Sequence, residues 1–174
     1  LLNRRTGITG NVHQGASHAA TPAPDPAAMD FITGASMVAS RAFCDRAGPM
    51  AEDYFLYYEE VDWAFQRGDL PYAYCPEGVV YHRAGTAIGS PTLERIASPF
   101  SLYFKHRGRR RFIDRHLPGA LATGWLYTAA KALQYLLKGY FAETRAMIAG
   151  FPDSPPPAAV RDRLSPEARA LAFA

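Results

Sequence analysis

The rhythm of apolar positions changes along the chain. In FITGASMVA, residues 31–39, they gather in one short run broken by Gly34, which predicts a buried strand. Ser40 then caps a short helix through about Arg46 that Gly48-Pro49 stops. Val61, Ala64 and Phe65 fall at helical spacing within residues 58–67. Tyr72 to Cys75 and Val79 to His82 predict two short strands around the turn Pro76-Glu77-Gly78. After Ser90 the period is that of helices, one from about Thr92 to His116 and another from about Leu117 to Phe151. Ahead of these elements, residues 13–28, HQGASHAATPAPDPAA, show no apolar period and read as a loop or linker. The chain thus divides into an entering loop (1–29), a compact part (30–90), a helical segment (91–152) and a loosely held tail (153–174) with a short terminal helix after Ser165.

Composition narrows the class. At 174 residues, 48% hydrophobic and 13% aromatic, the chain can bury one core and fits one domain. Two cysteines, Cys44 and Cys75, give no disulfide framework, and with no signal-peptide pattern they suggest a reducing, cytoplasmic compartment. The opening LLNRRTGITGN reads like the middle of a chain, so a fragment of something longer is expected.

Charge is small but unevenly placed. Residues 105–115, KHRGRRRFIDR, hold six basic residues and one acid, net +5 in a chain of net +3, so the remainder carries −2. A solvated helix face and a surface for anionic membrane, through Lys105, Arg107, Arg109, Arg110 and Arg111, are both open readings. Nucleic acid is not expected, because no recognition motif accompanies the run. The longest uncharged stretch of the last long helix, His116 to Lys131, is shorter than the roughly 20 apolar residues that span a bilayer. Its Leu and aromatic residues beside Lys131 and Lys138 suit either a membrane interface or packing against the domain.

DYFLYYEEVDWAF, residues 53–65, sets Glu59, Glu60 and Asp62 among aromatic rings. Helix capping accounts for one or two such acids; a carboxylate partly buried against rings can also hold a raised pKa suited to a general base. His82 ends GVVYH, 22 residues after Glu60, a separation that can return the chain to the same cleft. A lone histidine is structural or a metal ligand.

The run from FITGASMVASRAF through MAEDYFLYYEEVDWAFQR to YAYCPEGVVYHRAGTAIGS resembles the C-terminal half of the catalytic domain of family 2 glycosyltransferases, particularly the bacterial polysaccharide and rhamnosyltransferase-like members. That family shows a Gly-Ala-Ser strand, then Asp-Glu-x-Phe-Phe-Leu-Tyr-x-Glu-Asp-x-Asp, then Pro-Glu-x-x-x-x-His. Gly34, Ala35 and Ser36, then Glu52, Phe55, Leu56, Tyr57, Glu59 and Asp62, then Pro76, Glu77 and His82 match in order and spacing. The resemblance covers roughly residues 30–115. It implies an α/β fold of the GT-A type, a Rossmann-like sheet binding a nucleotide-diphosphate sugar, followed here by C-terminal helices. It also implies inverting transfer to a hydroxyl of a glycan or lipid-linked acceptor at the inner face of the cytoplasmic membrane. On this resemblance Glu60 is the base, Glu59 and Asp62 orient the acceptor or the segment itself, and Trp63 and Tyr57 offer faces to sugar. Gly34 and Ala35 line the substrate site, and His82 helps hold Mg2+ or Mn2+ on the donor diphosphate.

Departures bear on detail. Position 60 is Glu where the family usually has Asp, Ala51 stands for a usual Asp, Gln66 for a common Arg, and Arg107-Gly108 for an Arg-Asn motif. Nothing before Phe31 resembles the donor-gripping half, and Asp25 and Asp30 do not form its Asp-x-Asp-like metal motif. The expectation is therefore the acceptor-side half alone. A glycoside hydrolase needs its carboxyls about 5–10 Å apart across a sugar, which adjacent Glu59 and Glu60 do not suggest. A non-catalytic membrane- or partner-binding module is the remaining alternative.

Overall fold

The structure is a computed structural model that describes residues 1–17, 20–82, 88–91 and 95–173. Among these residues the fold is mostly helical, with two strands of two residues each, and a Rossmann-like GT-A sheet is not present. Strands β1 (Leu2–Asn3) and β2 (Ile8–Thr9) pair antiparallel, Leu2 opposite Thr9. The helices are α1 (Arg41–Ala47), α2 (Glu59–Phe65), α3 (Pro99–His116), α4 (Leu121–Leu137), α5 (Phe141–Gly150), α6 (Ala158–Arg161) and α7 (Pro166–Ala172).

Local chemistry accounts for most boundaries. The Oγ atoms of Ser40, Ser98 and Ser165 accept from backbone N–H groups three residues on and cap α1, α3 and α7. Proline at the first turn of α3 and of α7 costs no hydrogen bond, because that N–H has no helical partner. The long helix expected from Leu117 to Phe151 is two helices. Gly139, at φ +80°, closes α4 with bonds from its own N–H to Leu136 and from Tyr140 N–H to Tyr135, a termination that an unbranched backbone reaches without strain. The expected start of the preceding helix at Thr92 lies outside the described residues, as do His18 and Ala19 of the linker and positions 83–87 of the matched run.

α3 is the axis of the molecule and buries side chains on every side: Tyr103, Phe104, Phe112 and Ile113 are at most 1% exposed. One cluster joins it to α5, α6 and α7 through Met147, Val160 and Ala172. A second joins Phe112 to Leu2, Phe31, Tyr54, Tyr58 and Val61, and a third joins Ile113 to Ala120 and Phe151. Gly150 lets α5 lie directly on α3, since a Cβ there would stand less than 3.0 Å from the Tyr103 carbonyl oxygen.

Both ends of the chain depart from expectation. Leu1–Gly10 is no loop but a hairpin seated on α3, with Gly7 against Ile113 and its carbonyl accepting from Tyr58 Oη at 2.7 Å. The tail is held, not loose. Tyr103 Oη donates to Ser154 O at 2.8 Å, Arg107 donates to Ala172 O, and the Phe173 ring stacks on Phe104. The strands expected at 31–39, 72–75 and 79–82 do not form. Thr33 and Ser36 make a turn, the Pro76-Glu77-Gly78 turn closes through Gly78 N–H to Cys75 O, and among the described residues the flanking segments join no strand. Val38, Val79, Val80 and Tyr81 are exposed. A β-prone sequence becomes a strand only beside a partner strand, and no described residue supplies one.

Candidate functional site

The aromatic run before α2 consists of anchors pulling in different directions. Tyr54 Oη donates to Asp62 Oδ1 at 3.0 Å, and the Phe55 ring packs on Phe104 at 5.0 Å between centroids. Tyr57 Oη shares hydrogen bonds of 2.7 Å with Ser90 Oγ and Ser101 Oγ, while Tyr58 reaches Gly7 and packs on Phe112. Satisfying all four turns the backbone left-handed at Phe55 (φ 61°), Tyr57 (φ 67°) and Tyr58 (φ 75°). Each such non-glycine residue costs about 1–3 kcal/mol, which persists only where the surroundings fix it. The product of this strain is the placement of α2, whose first turn carries Glu59, Glu60 and Asp62.

The three acids do not act as one group. Asp62 is buried and points into the α2–α3 interface, where it accepts from Tyr54 and meets His116 Nε2 at 2.6 Å and Arg115 Nη1 at 3.7 Å. All three partners converge on Oδ1, so Asp62 is a structural tie between α2 and α3. Burial first, and the Asp62 charge second, push the Tyr54 hydroxyl far above its ordinary range, which keeps it a donor. Glu59 and Glu60 are half-buried. Burial raises the pKa of Glu59, and one of its oxygens, Oε2, is buried without a hydrogen bond. Burial raises that of Glu60 as well, with the charge of Glu59 adding to it and backbone N–H groups of Glu60 and Val61 opposing. Two neighbouring carboxyls are thus disfavoured as anions, and one oxygen of the first has no hydrogen-bond partner.

The remaining expected site residues stand apart from that pair. Trp63 is half-buried, edge-on to Phe43 at 4.5 Å, and donates Nε1–H to Gly48 O at 2.8 Å, so it ties α2 to α1. The Tyr57 hydroxyl is engaged by its two serines. Gly34 and Ala35 lie in an exposed turn, and a Cβ at Gly34 would meet nothing within 4 Å, so no close backbone approach requires glycine there. His82 is exposed, and among the described residues no group of three or more His, Cys, Asp or Glu side chains is placed to hold a metal ion. Hard divalent cations want several oxygen ligands, which a lone exposed His82 does not supply.

The basic run is also rearranged. Arg107 is buried and bonds Asp153 Oδ1 at 2.5 Å; Arg111 joins Asp153 and Asp53; Arg115 meets Asp53 at 2.5 Å. Arg109 is buried between the Tyr127 and Phe151 rings and donates to Thr128 Oγ1 and His106 Nδ1. From the run expected to meet a membrane, Lys105 remains exposed and Arg110 is half-exposed and paired with Asp114.

The structural roles of three positions escaped the sequence reading. His116 and Arg115, which hold Asp62, lie more than fifty positions from it and carry no local signal. Gly108 packs under the Tyr57 carbonyl and so sets how closely α3 supports the strained loop. Its signal was present as a glycine inside a helical pattern, a position that otherwise costs stability.

No family model, curated protein or solved structure matches the chain. Among the described residues no helix is long and apolar enough to cross a membrane.

Proposed function

We propose that the chain is the acceptor side of an inverting glycosyltransferase of the family 2, GT-A type, peripheral on the inner face of the cytoplasmic membrane and serving cell-envelope polysaccharide synthesis. The observation that carries this reading is the Glu59–Glu60 pair, held half-buried on a strained, over-anchored loop with both carboxyl pKa values raised. Burial and the neighbouring Glu59 charge both raise the Glu60 carboxyl, the direction that suits a general base.

In the step, a Glu60 carboxylate oxygen takes the proton of an acceptor hydroxyl as that oxygen bonds the anomeric carbon. The bond from that carbon to the diphosphate breaks on the opposite face, the nucleoside diphosphate leaves with the electron pair, and configuration inverts. Asp62 positions α2 and touches no substrate. No step is assigned to a metal. On this reading the unpaired apolar segments 31–39 and 72–82 are strands awaiting the donor-side sheet.

The test is sugar transfer from nucleotide-diphosphate sugars by the polypeptide as its source cell makes it. Glu60→Gln should abolish turnover with donor binding nearly intact. Retained turnover removes Glu60 from the base role. The exposed leucines of α4 favour a second reading, a non-catalytic membrane module; vesicle binding by both forms with no transfer by either would support it.

A further inference from the structure

α4 is built inside out for a helix with water on its outer side. Toward α3 it presents Gly124, Thr128 and Ala132, all buried, and at Gly124 a Cβ would come within 3.0 Å of Ile113 and Phe151. Outward it presents Leu126, 71% exposed, then Leu133 and Leu137, 54% and 79% exposed. These positions, with Ala130 between them, recur at four, three and four residues, the spacing of one helical face. Phe141, at the start of α5, is 69% exposed. Small residues inward and large ones outward place a continuous apolar stripe where a water-facing helix carries charge.

Charge indicates what covers the stripe. From Leu117 to Ala142 the chain has no acid and two cations, Lys131 and Lys138. Lys138 is exposed, and Lys131 lies along the Tyr135 ring with its ammonium donating to Gln134. Arg145, exposed, adds a third cation one turn beyond Phe141, and the acid beside it, Glu143, is half-buried. A second copy docking through the same face would bring lysine against lysine with no acid from this stretch to offset them. An anionic lipid surface offers the opposite charge and an apolar layer in which leucine ends can sink.

We infer that the outer face of α4, continuing to Phe141, is the membrane-contacting surface, lying flat in an interface of anionic lipid with Leu126, Leu133 and Leu137 inserted and Lys131 and Lys138 at the headgroups. The basic run of α3 is not that surface. The inference deepens the peripheral location in the preceding reading and rests on that part alone. Vesicle binding without sugar transfer would remove the transferase and leave this surface, and transfer without vesicle binding would do the reverse.

The experiment is flotation of the whole chain with phosphatidylcholine vesicles, with and without phosphatidylglycerol. Flotation is expected with the anionic vesicles, weakened by salt. Lys131→Gln with Lys138→Gln should lower apparent affinity at least tenfold, as each surface cation is worth about fivefold. Leu133→Glu with Leu137→Glu should abolish flotation, and Lys105→Gln with Arg110→Gln should leave it unchanged. Circular dichroism and melting verify folding, and Leu126→Ser with Leu137→Ser replaces the acidic pair if that variant does not fold. Failure of the unaltered chain to float, or flotation unmoved by the leucine variants, overturns the inference. So does a dimer in sedimentation that the leucine variants dissolve while no vesicle is bound.

Discussion

Gly108→Ala is expected to destabilise the protein, against the sign of helix propensity. In an exposed helix interior the exchange gains about 1 kcal/mol. Gly108 lies in the middle of α3, and an added Cβ would sit less than 3.0 Å from the Tyr57 carbonyl oxygen and 3.2 Å from Tyr58 Cδ2. The first neighbour is backbone, in a loop whose three left-handed residues leave it no easy direction to give. Overpacking of this kind costs typically 1–3 kcal/mol, and loosening the buried Tyr58 bond to Gly7 costs about 1 kcal/mol more. Set against the propensity gain, the net loss is about 2 kcal/mol. Urea unfolding reads it as a lower midpoint at unchanged slope. Gly119→Ala, where a Cβ meets nothing within 4 Å, is the control and should stay within about 0.5 kcal/mol. If Gly108→Ala is as stable as the parent, the loop does not seat on α3, and the support assigned to the acid pair fails with it.

Two further outcomes follow from the acids. Asp62→Ala strips the buried Tyr54 hydroxyl, His116 and Arg115 of their shared acceptor and should cost about 3 kcal/mol in the same assay; a loss below about 1 kcal/mol would mean that the tie is solvent-weakened. Glu59 has a raised carboxyl pKa, so the native state keeps its proton to higher pH than the unfolded chain does, and stability falls as pH climbs from the ordinary value of 4.5 through the raised one. Glu59→Gln removes that deficit. It should therefore stabilise near pH 8 and leave stability unchanged near pH 3, and a gain that persists at low pH would refute burial of the charge as the cause.

What the sequence made legible was whatever local chemistry decides. Ser40, Ser165 and Gly48 marked helix ends that the structure keeps, and the helix over Glu59–Phe65 followed from three apolar positions. The failures share a different cause: their deciding partners are remote. Strands at 31–39 and 72–82 need a ladder that no described residue provides. Arginines at 107 and 111 looked like a solvated or lipid-facing run because Asp153 lies about forty positions away. Sequence distance likewise hid the tie on Asp62, whose orienting role was expected without the His116 that closes on it. Gly139 was visible, but uninterrupted apolar periodicity on both sides concealed a turn that its positive φ makes.

Because the N-terminal hairpin and Ala172 both fasten onto α3, one helix joins the first and the last of the described segments. A stop or cleavage just before Ser154 would leave Arg107 and Tyr103 without the carbonyl partners that close the far side of the spine. The acid segment, seated on α3 through Gly108 and Tyr58, is thereby coupled to both flanking segments through one helix.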